Sequence, residues 1–286
     1  MSAISLDLQR KNHAWAARLR AAGRVLVAYS GGVDSSYLAF AAHRALGDAA
    51  LAVTALSPSY PEVHREMALR VASEFGIPHR TVDTAEMENP DYRANRPDRC
   101  YHCKTELFQV LGALRDELGF DAVAYGVNTD DTSDFRPGHR AAREQGVLSP
   151  FLDAALSKAE IRALSRDAGL PTAELPSSAC LSSRLPYGTE VTPERLRQVE
   201  LGEAALRGLG FRQVRVRHHG DVARIEVPPA ERDRLLAAAG HIVPALKELG
   251  FVWVAMDLEG YRSGSMNESL PRDATPGDVT SGDEAP

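Results

Sequence analysis

The sequence predicts an α/β fold with an open parallel sheet, followed by a smaller α+β domain. Three observations carry this expectation. Short apolar runs at 24–29, 49–56, 79–82 and 121–126 alternate with helical stretches. Strands and helices in that alternation build a parallel sheet covered on both faces. A glycine- and serine-rich loop follows the first run and leads into a helix, the arrangement that presents backbone N–H groups to an anion. From residue 192 the order becomes helix, strand, strand, helix, strand, which suits a separate domain of about 70 residues.

Element by element, residues 6–22 have helical spacing and stop at Gly23, a glycine suited to a helix C-terminus. Helices are expected at 37–46 and at 62–75, the latter halted by Gly76 and Pro78. Residues 104–118 form a strongly amphipathic helix. The stretch 148–185 differs in character. It holds a helix at 157–168 opened by a Ser157/Glu160 capping box, then a loop rich in proline and serine that contains Cys180. Strands follow at 213–217, 223–227 and 252–256. The expected division is a nucleotide-binding domain at 1–150, a connecting segment with the Cys180 loop at 151–190, and an α+β domain at 191–266. Residues 267–286 lack an apolar period and are expected to be disordered.

Composition narrows the function classes. The 286 residues are 44% hydrophobic and 25% charged, enough for a packed core. A net charge of −6 gives no bulk attraction to nucleic acid or anionic membrane, and no run is apolar enough to span a bilayer. Asp7, Arg10 and Lys11 interrupt the N-terminus where a signal peptide needs an apolar stretch. The expectation is a cytoplasmic protein with neither nucleic acid nor membrane as partner. Three cysteines argue against a disulfide framework in a reducing compartment.

The loop reads Ser30-Gly31-Gly32-Val33-Asp34-Ser35-Ser36. Its two glycines let the backbone approach a phosphate closely, and the following helix turns its positive end toward it. Ser30, Ser35 and Ser36 add hydroxyl donors. Asp34 repels phosphate, and a bridging Mg²⁺ resolves that conflict. The Gly-Lys-Ser/Thr ending of a Walker A loop is missing. The motif instead resembles the pyrophosphate (PP) loop of the ATP pyrophosphatases, of adenine nucleotide alpha-hydrolase fold. These cleave ATP between the α- and β-phosphates and attach AMP to the substrate. A second element, Tyr125-Gly126-Val127-Asn128-Thr129-Asp130-Asp131, follows another predicted strand. In the resembled family this segment lines the nucleotide site, which makes Gly126 and Asn128 ATP-binding candidates. Asp130 and Asp131 suit either a metal or the capping of a turn.

Cys180 lies on a polar loop beside Arg184, a setting for a reactive thiolate or for an inert buried thiol. Cys100 and Cys103 open a helix in Arg99-Cys100-Tyr101-His102-Cys103-Lys104, where the helix end and the flanking cations both lower thiol pKa values. The pair suits a redox couple, half of a zinc site or iron–sulfur ligation. Three thiolates together can hold a [4Fe–4S] cluster with one iron left to bind an external sulfide.

These segments, together with Asp134-Phe135-Arg136-Pro137-Gly138, Cys180 to Gly188 and Gly260-Tyr261-Arg262-Ser263-Gly264-Ser265-Met266-Asn267, resemble the LarE-type sulfur transferases. The resemblance implies an ATP- and Mg²⁺-dependent enzyme of nickel-pincer nucleotide biosynthesis, in lactate racemase maturation, and a homo-oligomer. Its small-molecule substrate would be pyridinium-3,5-biscarboxylic acid mononucleotide, adenylylated on a carboxylate and converted to a thiocarboxylate. In one branch the cysteine matching Cys180 gives up its own sulfur. In another, three cysteines are associated with a [4Fe–4S] cluster, and Cys100, Cys103 and Cys180 place this chain there. Arg184, Arg215 and Arg217 are the candidate ligands for the substrate's anionic groups, with solvated surface charges as the alternative. Glu200, Glu203 and Glu226 are further candidates for a metal or subunit site. Rival readings are a tRNA-thiolating enzyme and an amide-forming synthetase of the same ATP class.

Overall fold

The computed structural model describes residues 4–133, 137–176, 179–262, 265 and 268. Helix α1 (Leu6–Ala21) leads into β1 (Val25–Ala28), α2 (Val33–Leu46), β2 (Ala50–Leu56), α3 (Glu62–Glu74) and β3 (His79–Asp83). A short α4 (Pro90–Arg93) precedes α5 (Arg99–Leu118), β4 (Ala122–Tyr125), α6 (Gly138–Glu144), α7 (Pro150–Asp153) and α8 (Lys158–Asp167). The four strands form one parallel sheet in the order β3-β2-β1-β4, as the alternation of apolar runs and helices predicts.

Both faces of that sheet are covered, which explains why its strands read as unbroken apolar runs. Val25 and Val27 point into a core shared with α1, α2, α3, α7 and α8, whose largest member is Trp15. Leu26 points the other way, toward Phe108, Leu111 and Leu114 of α5 and Ala141 and Ala142 of α6. The predicted capping box is present: Ser157 accepts from the Glu160 N–H while Glu160 accepts from the Ser157 N–H.

The smaller sheet is built from α9 (Pro193–Gly208), β5 (Arg215–His219), β6 (Val222–Glu226), α10 (Arg232–Ala237), α11 (Ala239–Glu248) and β7 (Trp253–Met256). Strand β6 pairs antiparallel with β5 and parallel with β7. Strand β5 starts two residues later than predicted and ends two residues later, at His219, because the two-residue turn at Gly220-Asp221 carries the pairing through to His219 and Val222. Phe211, Val214, Val216, Ile225 and Phe251 fill its own core. Apart from residue 268, the 267–286 tail expected to be disordered lies outside the described residues. No helix among the described residues is long and apolar enough to cross a membrane.

Candidate active site

The β1–α2 loop sits at the C-terminal end of the sheet, at the strand that has β2 on one side and β4 on the other, where the winding of the chain reverses. An open parallel sheet offers its ligand crevice at that point. Gly31 has φ +67°, and a Cβ there would lie 2.6 Å from the His64 carbonyl oxygen, so only glycine fits. Gly32 starts α2 and no side chain caps the helix, leaving its first-turn N–H groups to an incoming anion. Ser35 Oγ accepts from the Ser30 N–H at 3.1 Å and lies 3.0 Å from Ser30 Oγ, so the two serines brace the loop. Ser36, expected among the hydroxyl donors, is instead fully buried, with its N–H on the Gly32 carbonyl and its hydroxyl toward Tyr29. Val33 is a core residue.

The segment after β4 lies directly on this loop. A Cβ at Gly126 would be 3.0 Å from both the Asp34 carbonyl carbon and the Ser35 nitrogen. Asn128 Nδ2 donates to Asp34 Oδ1 at 3.4 Å. The other Asp34 oxygen is held by Lys158 Nζ, from the first turn of α8. Lys158 was not legible as a site residue, since it lies 124 positions from Asp34 in the chain. Burial pushes the Asp34 carboxyl above its ordinary range against the pull of Lys158. Asp130 accepts the Lys158 N–H at 2.9 Å and Asp131 the Asn128 N–H at 3.2 Å, so both carboxylates cap backbone groups. Asp134, Phe135 and Arg136 lie outside the described residues.

Among the described residues no group of three or more His, Cys, Asp or Glu side chains that could hold a metal ion is present. Mg²⁺ is usually held by one or two carboxylates and the substrate's own phosphates, and Asp34 is the carboxylate that this loop would offer it.

The three cysteines converge across the fold. Cys100 and Cys103 occupy the first turn of α5, and Cys180 precedes a 3-10 turn, Leu181–Arg184. The turn is clamped from the α4–α5 side. Tyr92 Oη and Ser182 Oγ are 2.6 Å apart, and Arg99 Nη1 donates to the Ser182 carbonyl at 2.9 Å. Asn95, buried and left-handed at φ 52°, donates to the carbonyls of Pro186 at 2.8 Å and Thr189 at 2.9 Å. Cys103 and Cys180 both act electrostatically on Tyr92, and Cys180 and Cys100 on Cys103. The expected lowering of thiol pKa is overturned at Cys103. Burial pushes it up to about 12, outweighing Lys104, and the neighbouring Glu86 and thiols add to the rise. Ser177 and Ser178 lie outside the described residues.

Arg184, Arg215 and Arg217, the candidate ligands for the substrate's anionic groups, are buried, which sets aside the alternative of solvated surface charges. Arg184 grips both Glu203 oxygens, at 2.7 and 3.0 Å, and its Nη1 donates to the carbonyls of Ala179 at 2.7 Å and Cys180 at 2.9 Å. It shapes the Cys180 loop, and its nitrogens are already engaged. Arg217 closes the same bidentate pair with Glu226, at 2.9 and 2.7 Å, and donates to the Ser183 carbonyl at 2.9 Å. Arg215 lies 5.2 Å over the Tyr261 ring, and burial beside Arg184 lowers its pKa to about 10. Arg207 shares Glu203 at 2.5 Å. Glu203 and Glu226 are thus the buried counter-ions of arginines, while Glu200 accepts the Glu62 N–H at 2.7 Å. Ser263, Gly264, Met266 and Asn267 lie outside the described residues.

His64 faces this cationic group from α3. Burial, then Arg184, Arg207 and Arg215, push it from 6.5 down to about 4. The unfolded chain therefore binds a proton at His64 below 6.5 that the folded chain refuses until about 4. Stability from this residue is complete above that window and is lost as pH falls through it, by up to about 3 kcal/mol. A His64→Gln protein is expected to show a flatter decline of melting temperature between pH 6.5 and 4, measured by calorimetry.

A phosphate-cradling loop on a parallel sheet, with a cysteine-bearing loop at the same edge, defines a nucleotide-dependent enzyme that handles sulfur. Residues 10–110 match the asparagine synthase family model. The chain is 46% identical over 251 residues to an uncharacterized protein of Synechocystis sp., covering 87% of this chain and 94% of that one. It is 36% identical over 266 residues to the pyridinium-3,5-bisthiocarboxylic acid mononucleotide synthase of Lactiplantibacillus plantarum, covering 93% and 96%. A tRNA-specific 2-thiouridylase of Thermus thermophilus is 33% identical over about half of each chain, 54% and 53%. The chain belongs to the LarE-type family, and it is an ATP-dependent sulfur transferase of the PP-loop superfamily.

Proposed function

We propose that the chain adenylylates a carboxylate of pyridinium-3,5-biscarboxylic acid mononucleotide and converts it to a thiocarboxylate, a step toward a nickel-pincer nucleotide. One observation carries this reading: two adjacent residues join the nucleotide loop to the cysteine loop. Tyr60 donates to the Ser30 carbonyl at 3.1 Å, and the Ser59 carbonyl accepts the Leu181 N–H at 2.8 Å. An acyl-adenylate formed at the first loop therefore lies beside sulfur presented from the second.

In the first step a substrate carboxylate oxygen attacks the α-phosphorus and pyrophosphate departs. The open N-terminus of α2 and Lys158 face the charge that leaves, and Asp34 would hold a Mg²⁺ bound to the nucleotide, which would help neutralise that charge. In the second step a sulfur nucleophile attacks the acyl carbon and AMP leaves, which the carboxylate alone does not permit. The buried Glu203 and Arg184 hold the Cys180 carbonyl, and with it the loop, against displacement. Cys103 lies within electrostatic reach of both Cys180 and Cys100, and these three thiols would be the ligands of a cluster. A [4Fe–4S] cluster would supply an iron that binds exogenous sulfide.

The test is anaerobic reconstitution of the full chain with iron and sulfide. About four irons per chain and visible absorbance, lost in Cys100→Ala, Cys103→Ala and Cys180→Ala, are expected. No cluster, with a mass loss of about 34 Da at Cys180 after turnover, would make Cys180 a sacrificial donor instead.

A further inference from the structure

Helix α8 contributes more than Lys158. Its inner side, with Ile161 and Leu164, packs in the core it shares with α2, the helix that opens at the nucleotide loop. Lys158, Arg162 and Arg166 recur every four residues and so follow one side of the helix. Lys158 holds Asp34 by its ammonium, and its N–H donates to Asp130 at 2.9 Å. One turn on, Arg162 donates through Nη1 to the Ala173 carbonyl and through Nη2 to the Leu175 carbonyl at 2.6 Å. Arg166 meets Glu174 at 2.8 Å, where both side chains are exposed.

The two carbonyls that Arg162 takes close the 3-10 turn Pro171–Glu174 and begin the chain that enters the Cys180 loop, Leu175 standing five residues before the cysteine. A guanidinium forks across both, which an ammonium does not do. The far side of Cys180 is tied separately, by the Leu181 N–H on the Ser59 carbonyl. We infer that α8 is a strut between the nucleotide loop and the chain entering the Cys180 loop, and that Arg162 is its positioning residue. Nucleotide phosphates act on Lys158 and its neighbour Asp34, which restrains the first turn of α8. Helical hydrogen bonds make the next turn share that restraint, and Arg162 passes it to residues 173–175. Binding that orders one segment and so orders a second couples the two without a large movement. The chain leading to Cys180 is then held most firmly while nucleotide is bound, which is when sulfur is needed.

The inference rests on the β1–α2 loop being the nucleotide site, and its test needs neither the pyridinium substrate nor thiol chemistry, so it is separable from the proposed sulfur transfer. Hydrogen exchange of the full chain is followed by mass spectrometry with and without Mg²⁺ and α,β-methylene ATP, which resists cleavage between the α- and β-phosphates. In wild type the analogue is expected to slow exchange at residues 29–36 and, severalfold, at 170–176, where the Ala173 and Leu175 N–H groups close the turn. Arg162→Met keeps the stem and the helix propensity but neither donor. It should exchange faster at 170–176 and lose the response there to nucleotide while keeping it at 29–36. Lys158→Met cuts the other end and should lose the same response. An Arg162 that only caps the turn would leave the severalfold response intact on a faster baseline. Either variant keeping the full response refutes the relay, and so does a wild type protected at 29–36 but unresponsive at 170–176. No protection at 29–36 in wild type removes the nucleotide site itself, and the inference with it. If Arg162→Met does not fold by circular dichroism, Arg162→Lys, which reaches one carbonyl, takes its place and should show a reduced response.

Discussion

A Cys180→Ser protein is expected to release pyrophosphate from ATP in the presence of substrate while transferring sulfur on the order of a thousandfold more slowly. Adenylylation draws on the β1–α2 loop, Asn128 and Lys158, none of which touches Cys180. Sulfur attack draws on the thiol site, where serine offers a poor nucleophile and a poor iron ligand. The substitution nearly conserves shape, so Arg184 keeps its bonds to the Ala179 and Cys180 carbonyls. Acyl-adenylate should accumulate and be trapped by hydroxylamine as a hydroxamate. Full thiocarboxylate production in this variant would exclude Cys180 from the chemistry and favour direct attack by free sulfide on the acyl-adenylate. Loss of pyrophosphate release alongside sulfur transfer would mean that the two loops act as one catalytic unit.

Lys158→Ala should slow adenylylation by roughly a hundred- to a thousand-fold, the usual effect of removing one preorganised donor from developing charge. Lys158 Nζ holds Asp34, which keeps an ammonium within reach of the loop's phosphate end. The loss should fall mainly on kcat, because the helix N-terminus still binds ATP when the ammonium is gone. Asp34→Asn removes the Mg²⁺ carboxylate and should produce a comparable loss that excess Mg²⁺ does not repair. A Lys158→Ala enzyme with wild-type kcat for pyrophosphate release would reduce the residue to a structural tether of α8.

What the sequence revealed follows from how far apart the interacting residues lie. The phosphate loop was legible because its seven residues are contiguous and their strand-loop-helix setting has a periodic signature. The parallel sheet was legible because two-sided burial makes each strand an unbroken apolar run. Lys158 was hidden because nothing marks a lysine at a helix start as the partner of an aspartate 124 residues away. The burial of the arginines was hidden for a related reason. Arg215 and Arg217 share a strand face, but whether that face is wet depends on Glu226. Glu226 lies opposite Arg215 in register yet pairs diagonally with Arg217. Asn95 gave only a weak cue, since asparagine tolerates the left-handed region that its clamp requires. The convergence of Cys180 with Cys100 and Cys103 depends on that clamp, and neither their spacing nor their neighbours in sequence disclosed it.

The Cys180 loop is moored on both sides by residues made at different times. Tyr92, Asn95 and Arg99 leave the ribosome before it, whereas Glu203 and Arg217 follow. All four strands of the parallel sheet are made by residue 125, and Lys158 by residue 158, while the third thiol is still unmade. Until Glu203 and Arg217 emerge, the Ser183 carbonyl and the Arg184 guanidinium lack the partners that fix the loop. The fixing of the Cys180 loop therefore waits on residues of the smaller sheet, which come later in the chain.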